Sequence, residues 1–376
     1  MKSFDFADVL TRMVAVRASD VHLTPGFQPA IRVRGRITPM EGYSPLTPQE
    51  TRDVVYAILN NDQRKRFENE QQLDFAYSIP GVARFRVNCY FQRGSVSAAF
   101  RHIPHEIKTI EELDLPPILA DFTRKPRGFV LVTGPTGSGK TTSLAAMIDL
   151  INREREDHIL TIEDPIEFMH RHQRCIVNQR EVGTDAPDFA LALKAALRQD
   201  PDVILVGEMR DPETIATALT AAETGHLVFA TLHTQSTAQT VDRIIDVFPA
   251  EQQGQVRMQL SIALQAIVTQ QLLPTADGSG RVCACEVLVP TPAIRNLIRE
   301  GETHQIYSAI QTAGSTGMQT MDAHLAHLVR QGKITSKLAQ ARAAVPEELG
   351  RLLGTGKMNA EAPEYESAAA TLGSPL

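Results

Sequence analysis

The sequence predicts two folded units in succession, a small α+β domain and then an α/β domain on a parallel sheet with a helical C-terminal part. Three observations carry that reading. At 376 residues the chain is too long for one compact core. Up to residue 103 short strand patterns and two amphipathic helices dominate, whereas from Arg127 strands alternate with helices, the signature of a parallel sheet covered on both faces. Between the apolar run Phe129 to Val132 and the helical pattern Leu144, Met147, Ile148, Ile151 lies Gly134-Pro135-Thr136-Gly137-Ser138-Gly139-Lys140-Thr141-Thr142, a phosphate-binding loop in its proper strand-to-helix setting.

In chain order, Phe6, Val9, Leu10, Met13 and Val14 have the spacing of an amphipathic helix over residues 4–17. Ala18 to Leu23 follows, then Ile31 to Ile37, whose alternating Arg32, Arg34 and Arg36 predict one strand with a charged face. Thr47-Pro48-Gln49-Glu50 is a capping box with proline at the first helical position, opening a helix through Val54, Val55, Ile58 and Leu59. Strands are expected near Leu73 to Ser78, Ala83 to Phe91 and Ser95 to His102, which closes a domain over 1–103. Residues 104–126, with Pro104, Pro116, Pro117 and Pro126, read as a linker holding one short helix.

The second domain, 127–345, is expected to hold strands at Phe129 to Thr133, Ile159 to Glu163, Val203 to Gly207 and Leu227 to Leu232. Asp211-Pro212-Glu213 caps a helix with the stripe Ile215, Ala218, Leu219, Ala222, stopped by Gly225. From about Asp242 the pattern is mostly helical, and 346–376 reads as a disordered tail, rich in Ala, Gly, Ser and Pro after Gly354.

Composition narrows the function. The net charge of −6 disfavours a general nucleic-acid binder, because counterion-release binding needs a basic surface. No apolar run approaches the ~20 residues of a membrane span, and a start containing Lys2, Asp5 and Asp8 lacks a signal-peptide core. A cytosolic chain that meets membranes through a partner, without direct insertion, is the expectation. Cys89, Cys175, Cys283 and Cys285 read as free thiols; the last two alternate onto one face of a strand from Arg281 to Val289, without the four ligands of a tetrahedral metal site.

The chemistry follows from the loop. Its backbone N–H groups and the helix N-terminus face a polyphosphate, Lys140 reaches the β and γ phosphates, and Thr141 meets Mg²⁺. Hydrolysis further needs a positioned water and positive charge on the transferring group. Thr161-Ile162-Glu163-Asp164-Pro165 sets two carboxylates at the C-terminal end of a buried strand, where open α/β sheets bind ligands; Asp164, preceding a proline, fits a structural role better. Asp202 to Glu208 resembles a Walker B run in which Gly207 occupies the usual acidic position and Glu208 remains. Glu163 and Glu208 share metal holding and water orientation, with Glu208 favoured as base. His233, at a strand's C-terminal end, is a candidate γ-phosphate sensor; His226, at the opposite end, reads as structural. Arg84 and Arg86 share one strand face with Asn88, opposite Phe85, Val87 and Cys89. With Arg93 and Arg101 they form either a solvated basic face or a set that meets the nucleotide of an adjacent subunit.

Side by side, these stretches resemble the secretion and type IV pilus ATPases, and within that family the retraction branch of twitching motility. The likeness covers nearly all of residues 3–345, with the Ala18 to Leu23 motif, the phosphate loop, the acidic box Thr161 to Glu167, the run through Gly207-Glu208-Met209-Arg210-Asp211 and the histidine box Thr224 to Thr234 in the family's order. Ala293-Ile294-Arg295-Asn296-Leu297-Ile298-Arg299-Glu300-Gly301 looks like the C-terminal motif of retraction ATPases, a helix capped by Thr291 with Arg295 and Arg299 facing outward. Ala230 and Gln235 depart from the glycine and asparagine often found in relatives. Pilus-extension members usually carry an additional N-terminal domain and a four-cysteine element, which this sequence does not show.

The resemblance implies a PAS-like first domain, a RecA-like P-loop ATPase domain, a homohexamer, ATP and Mg²⁺ as cofactors, and pilus retraction powered by hydrolysis. It also implies a PilC-like inner-membrane platform protein as partner, at the inner face of the cytoplasmic membrane. An accessory, PilU-like retraction ATPase, working with a second retraction ATPase, is the alternative within the class. A RecA-like nucleic-acid motor and a non-hydrolysing nucleotide-gated scaffold are the alternatives outside it.

Overall fold

Two sheets, each with its own buried core, organise the chain. The structure, a computed structural model, describes residues 4–33, 35–79, 83–103 and 106–354. The first domain opens with α1 (Phe6–Ala15), capped by Asp5, whose carboxylate accepts from the amides of Ala7 and Asp8; Val9, Leu10 and Met13 are its buried face. Strands β1 (Asp20–Leu23), β2 (Ala30–Val33) and β3 (Arg36–Pro39) follow, then α2 (Pro48–Ile58), α3 (Asn61–Glu70) and strands β4 (Gln72–Ile79), β5 (Ala83–Gln92) and β6 (Ser95–Ile103). They form a six-stranded antiparallel sheet in the order β3-β2-β1-β6-β5-β4. This is the α+β layout expected. Both halves of the Thr47–Glu50 capping box are present.

One strand expectation needs correction. Ile31 to Ile37 is not a single strand but a hairpin, with Gly35 at φ 82° and Arg32 opposite Ile37. Only a residue tolerant of the left-handed region reverses the chain so tightly, and the alternating arginines obscured that turn. Arg34 lies outside the described residues. Helix α3 escaped notice because Phe67 is its sole buried residue; it stacks on Phe91 at 4.9 Å, and Asn60 with Gln63 closes a second capping box.

The stretch read as a linker is also corrected. Ile110, Leu115, and Leu119 and Phe122 of α4 (Ile118–Thr123) are buried in the core of the second domain, so from Ile110 the segment belongs to that domain. Burial of each such side chain contributes about 1.5–3 kcal/mol, more than a free tether could keep exposed.

The second domain runs β7 (Gly128–Thr133), α5 (Lys140–Glu154), β8 (His158–Glu163), β9 (Ile176–Glu181), α6 (Phe189–Ala196), β10 (Val203–Val206), α7 (Pro212–Glu223), β11 (Leu227–Leu232), α8 (Thr237–Asp246), α9 (Ala250–Ala263), β12 (Leu264–Pro274) and β13 (Arg281–Leu288). The sheet order is β13-β12-β7-β11-β10-β8-β9, parallel throughout except for β13. The four expected strands lie adjacent at its centre. The expectation of mostly helix after Asp242 fails at β12, which is largely buried and therefore carries an apolar run without alternation. Cys283 and Cys285 sit on one face of β13, their sulfurs 3.6 Å apart.

Helices α10 (Pro292–Glu300), α11 (Ile306–Thr312), α12 (Met321–Arg330), α13 (Ser336–Arg342) and α14 (Pro346–Leu353) complete the chain. The last corrects the disordered-tail reading at its start: Leu349 is fully buried, and Arg330 bonds the Leu352 carbonyl. Residues 355–376 of that tail lie outside the described residues.

Candidate nucleotide-binding cleft

The glycine loop joins β7 to α5, and close packing dictates its composition. At Gly134 (φ 139°) an added Cβ would stand 2.4 Å from the Gln270 carbonyl oxygen, so β12 presses the loop against a position that admits no side chain. Gly139 (φ 91°) precedes α5, and no side chain caps that helix. Its first amides therefore remain available to an anion, at the positive end of the helix dipole. The Lys140 ammonium is buried and donates to the carbonyls of Gly134 (2.8 Å) and Pro135 (3.2 Å). Burial pushes its pKa below the ordinary lysine range, with Glu167 acting in the opposite sense. The Ser138 hydroxyl is buried without a partner among the described residues.

Both candidate carboxylates converge on this loop, in different surroundings. Glu163 ends β8, is 6 % exposed, and accepts from Thr161 Oγ1 (2.6 Å) and Gln179 Nε2 (3.1 Å). Desolvation raises its pKa despite those bonds. Glu208 follows β10 and stands between two basic groups, the Arg210 guanidinium and, at 3.4 Å, His233 Nε2. The Gly207 departure from the Walker B pattern has a steric cause. Its amide bonds the Ile162 carbonyl at 2.7 Å, and a Cβ would come within 3.1 Å of that oxygen and 3.2 Å of Glu163 Cα. A side chain there would require β8 to give by a few tenths of an ångström.

His233 follows β11 on the loop side of the sheet, as expected. Burial, then Lys140 and Arg210, lower its pKa, so a neutral imidazole donates to Glu208. Thr234 Oγ1 meets Thr240 Oγ1 at 2.7 Å, and Thr240 Oγ1 lies 3.5 Å from Thr133 at the end of β7; the histidine segment is thus tied to the loop strand. His226 lies at the far end of β11, its ring bonded to the Ala221 carbonyl at 3.0 Å, which is structural.

The first-domain arginines separate. Arg86 and Arg101 line the cleft of their own chain, with the loop. Arg101 also bonds Asp20 Oδ1 at 2.9 Å. Arg84 is committed elsewhere, to Glu181 of β9 at 2.8 Å. Arg93 sits at the β5–β6 turn with φ 49°, about 30 Å along the strand from Arg84. Neither lines the cleft.

Together the loop, Glu163, Asp164, Glu208, His233, Arg86 and Arg101 enclose about 660 Å³, room for a nucleoside triphosphate. Gln179, Gln270 and Arg281 also belong to this region and were missed by the sequence reading. They stand on β9, β12 and β13, away from any recognisable motif. On α10, Ile294 and Ile298 are buried and Thr291 caps the helix as expected, but Arg295 does not face outward. Its guanidinium bonds the carbonyls of Ser261, Ile262 (2.9 Å) and Leu264 (3.0 Å), closing the C-terminus of α9.

A family model described as "Type II/IV secretion system protein" matches residues 109–342. A curated relative from Pseudomonas aeruginosa, "Type IV pilus retractation ATPase PilT", is 52 % identical over 343 residues, covering 91 % of this chain and 99 % of its own. "Type IV pilus ATPase PilU" from the same organism is 46 % identical over 352 residues, 94 % of this chain and 92 % of its own. Among solved structures, "Crystal Structure of the Pilus Retraction Motor PilT and Bound ADP" superposes with a TM-score of 0.87 at 49 % identity, covering 93 % of this chain and all of that one.

Proposed function

The chain belongs to the type II/IV secretion system protein family, and from that premise we infer that it is an ATP-hydrolysing motor of type IV pilus retraction. One observation carries the reading: the phosphate loop, two carboxylates at the ends of β8 and β10, and two arginines from the first domain face one nucleotide-sized cleft.

The loop amides and Lys140 bind the β and γ phosphates. Water attacks the γ-phosphorus in line, the bond to the β-phosphate oxygen breaks, and ADP leaves. Glu163 takes the proton of that water, because burial raises its pKa towards the range of a useful base. Glu208, held between Arg210 and His233, orients charge at the γ-phosphate. This reverses the sequence-based preference for Glu208 as base. Arg86 and Arg101 supply positive charge from the opposite wall. Thr141 and Glu208 would hold a magnesium ion, which would neutralise phosphate charge when bound.

A homohexamer at the inner face of the cytoplasmic membrane, pulling on a PilC-like platform protein, is the assembly in which such cleft closure performs work. Among the described residues no helix is long and apolar enough to cross a membrane. The accessory PilU-type role is the second reading, supported more weakly, by 46 % identity to that relative against 52 % to PilT. The test has two parts: phosphate release by the purified chain, and complementation of a retraction-deficient strain that still has its accessory ATPase. Turnover without restored twitching would favour the accessory role, and no turnover would end the motor reading.

A further inference from the structure

We propose that Arg84 and Glu181 form a positioning pair at the pivot between the domains, transmitting the orientation of the first domain to the acidic segment that carries Glu163. The proposal rests on the ATPase reading for its effect on turnover, but its structural part stands apart from it.

Four observations converge on Glu181. Its Oε2 accepts from Arg84 Nη2 at 2.8 Å and from the amide of Ile166 at 3.1 Å, so one oxygen joins the first domain to the segment after Glu163-Asp164-Pro165. The pair is shielded, with side chains 18 % and 4 % exposed, so removing one partner leaves an uncompensated buried charge, which is costly. Glu181 is register partner to Glu163 across the β8–β9 ladder, and the Val182 amide bonds the Glu163 carbonyl at 2.8 Å. Arg84 stands opposite Ile103, where β6 ends and the chain leaves for the second domain. If the first domain turns about the end of β6, Arg84 lies nearer the axis than Arg86 and Arg101, which pair two residues further along the ladder. The Arg84–Glu181 pair would then serve as the reference for both domains.

The same strand supplies a second hold. Gln179 donates to Glu163 Oε1 (3.1 Å) and to the Phe168 carbonyl (2.8 Å), and its own oxygen accepts from the His170 amide (2.8 Å). Gln179 holds the segment to the second domain alone; Glu181 adds the first domain. Without Arg84 the buried carboxylate has lost its cation, and the Ile166 amide loses a fixed acceptor.

The test uses the full chain without nucleotide. Amide hydrogen exchange at Ile166 is expected to rise several-fold in Arg84→Ala and less in Arg84→Lys, which keeps the cation. ATP turnover is expected to fall about tenfold in Arg84→Ala with KM within twofold. Unchanged exchange overturns the proposal, whatever happens to turnover: a fall in kcat alone would make Arg84 a nucleotide contact. Raised exchange in a protein whose wild type releases no phosphate would uphold the pair and refute the ATPase reading instead. Should Arg84→Ala fail to fold, Arg84→Gln decides, because it removes the cation and keeps most of the side chain: exchange at Ile166 no higher than wild type sinks the idea.

Discussion

On the second-domain wall of the cleft, Lys140 is clamped by two loop carbonyls, Glu163 is bonded by Thr161 and Gln179, and Gly134 is pressed against β12. On the first-domain wall the side chains of Arg86 and Arg101 remain 44 % and 68 % exposed, tethered only by carboxylates of their own sheet. One wall is preorganised and the other is supplied. Preorganised groups act on the reacting bond at no cost of reorganisation, while exposed cations contribute only when the cleft narrows and water leaves. Under the proposed mechanism, the division would assign chemistry to one domain and timing to the other.

The sharpest way to test that division is Lys140→Ala. Removing the cation from the preorganised wall should reduce phosphate release by a factor of about 10³ or more, and measurable wild-type-like turnover would place the chemistry elsewhere. Next in size are Glu163→Gln and Glu208→Gln. The first should lower kcat by about 10²–10³ with ADP binding retained, and the second should cost less; the opposite ranking would make Glu208 the base.

The same contrast decides what the sequence made legible. The glycine loop, the ends of β8 and β10 and the helix caps are local: glycine spacing, a carboxylate after an apolar run, and Asp before Pro each state their own geometry. The placement of the loop and the carboxylates follows once the parallel sheet is drawn, because they lie at its C-terminal edge. Gln179 and Glu181 were illegible because Ile176–Glu181 has only two apolar residues followed by four polar ones and has no motif, and their role exists only after β9 pairs with β8. Arg295 misled for a related reason. An arginine on the polar face of an amphipathic helix reads as solvent-facing, yet a neighbouring helix end brings three carbonyls to it.

The arginine wall should respond more weakly. Arg86→Ala is expected to lower turnover about tenfold, with Arg101→Ala similar or smaller because Asp20 already shares its charge. Raising salt should depress wild-type turnover through this wall, since exposed charges are screened within about 10 Å at 0.1 M, and Arg86→Ala should be less salt-sensitive than wild type. Equal salt sensitivity would mean that the exposed cations do not act in the cycle.

The smallest effects, and the most direct comparison of the two walls, come from stability against pH. Burial raises the pKa of Glu163, so its contribution is fully present below the ordinary value of 4.5 and is lost as pH rises through the folded value. Asp20 behaves in the opposite sense. Burial pushes it up, but the Ser19 hydroxyl and Arg101 outweigh that and hold it below 3.8 in net, so its contribution is present above that value and lost as pH falls through the folded one. Denaturant midpoints measured from pH 3 to 8 should therefore separate two variants. Glu163→Gln should remove a decline in stability above about pH 4.5 and leave the protein relatively more stable near neutrality. Asp20→Asn should lose about 1 kcal/mol or less near neutrality, the difference from wild type closing in acid. If both variants shifted the profile in the same direction, the carboxylates would share one electrostatic environment, and the distinction between a desolvated wall and a charge-paired one would have no basis.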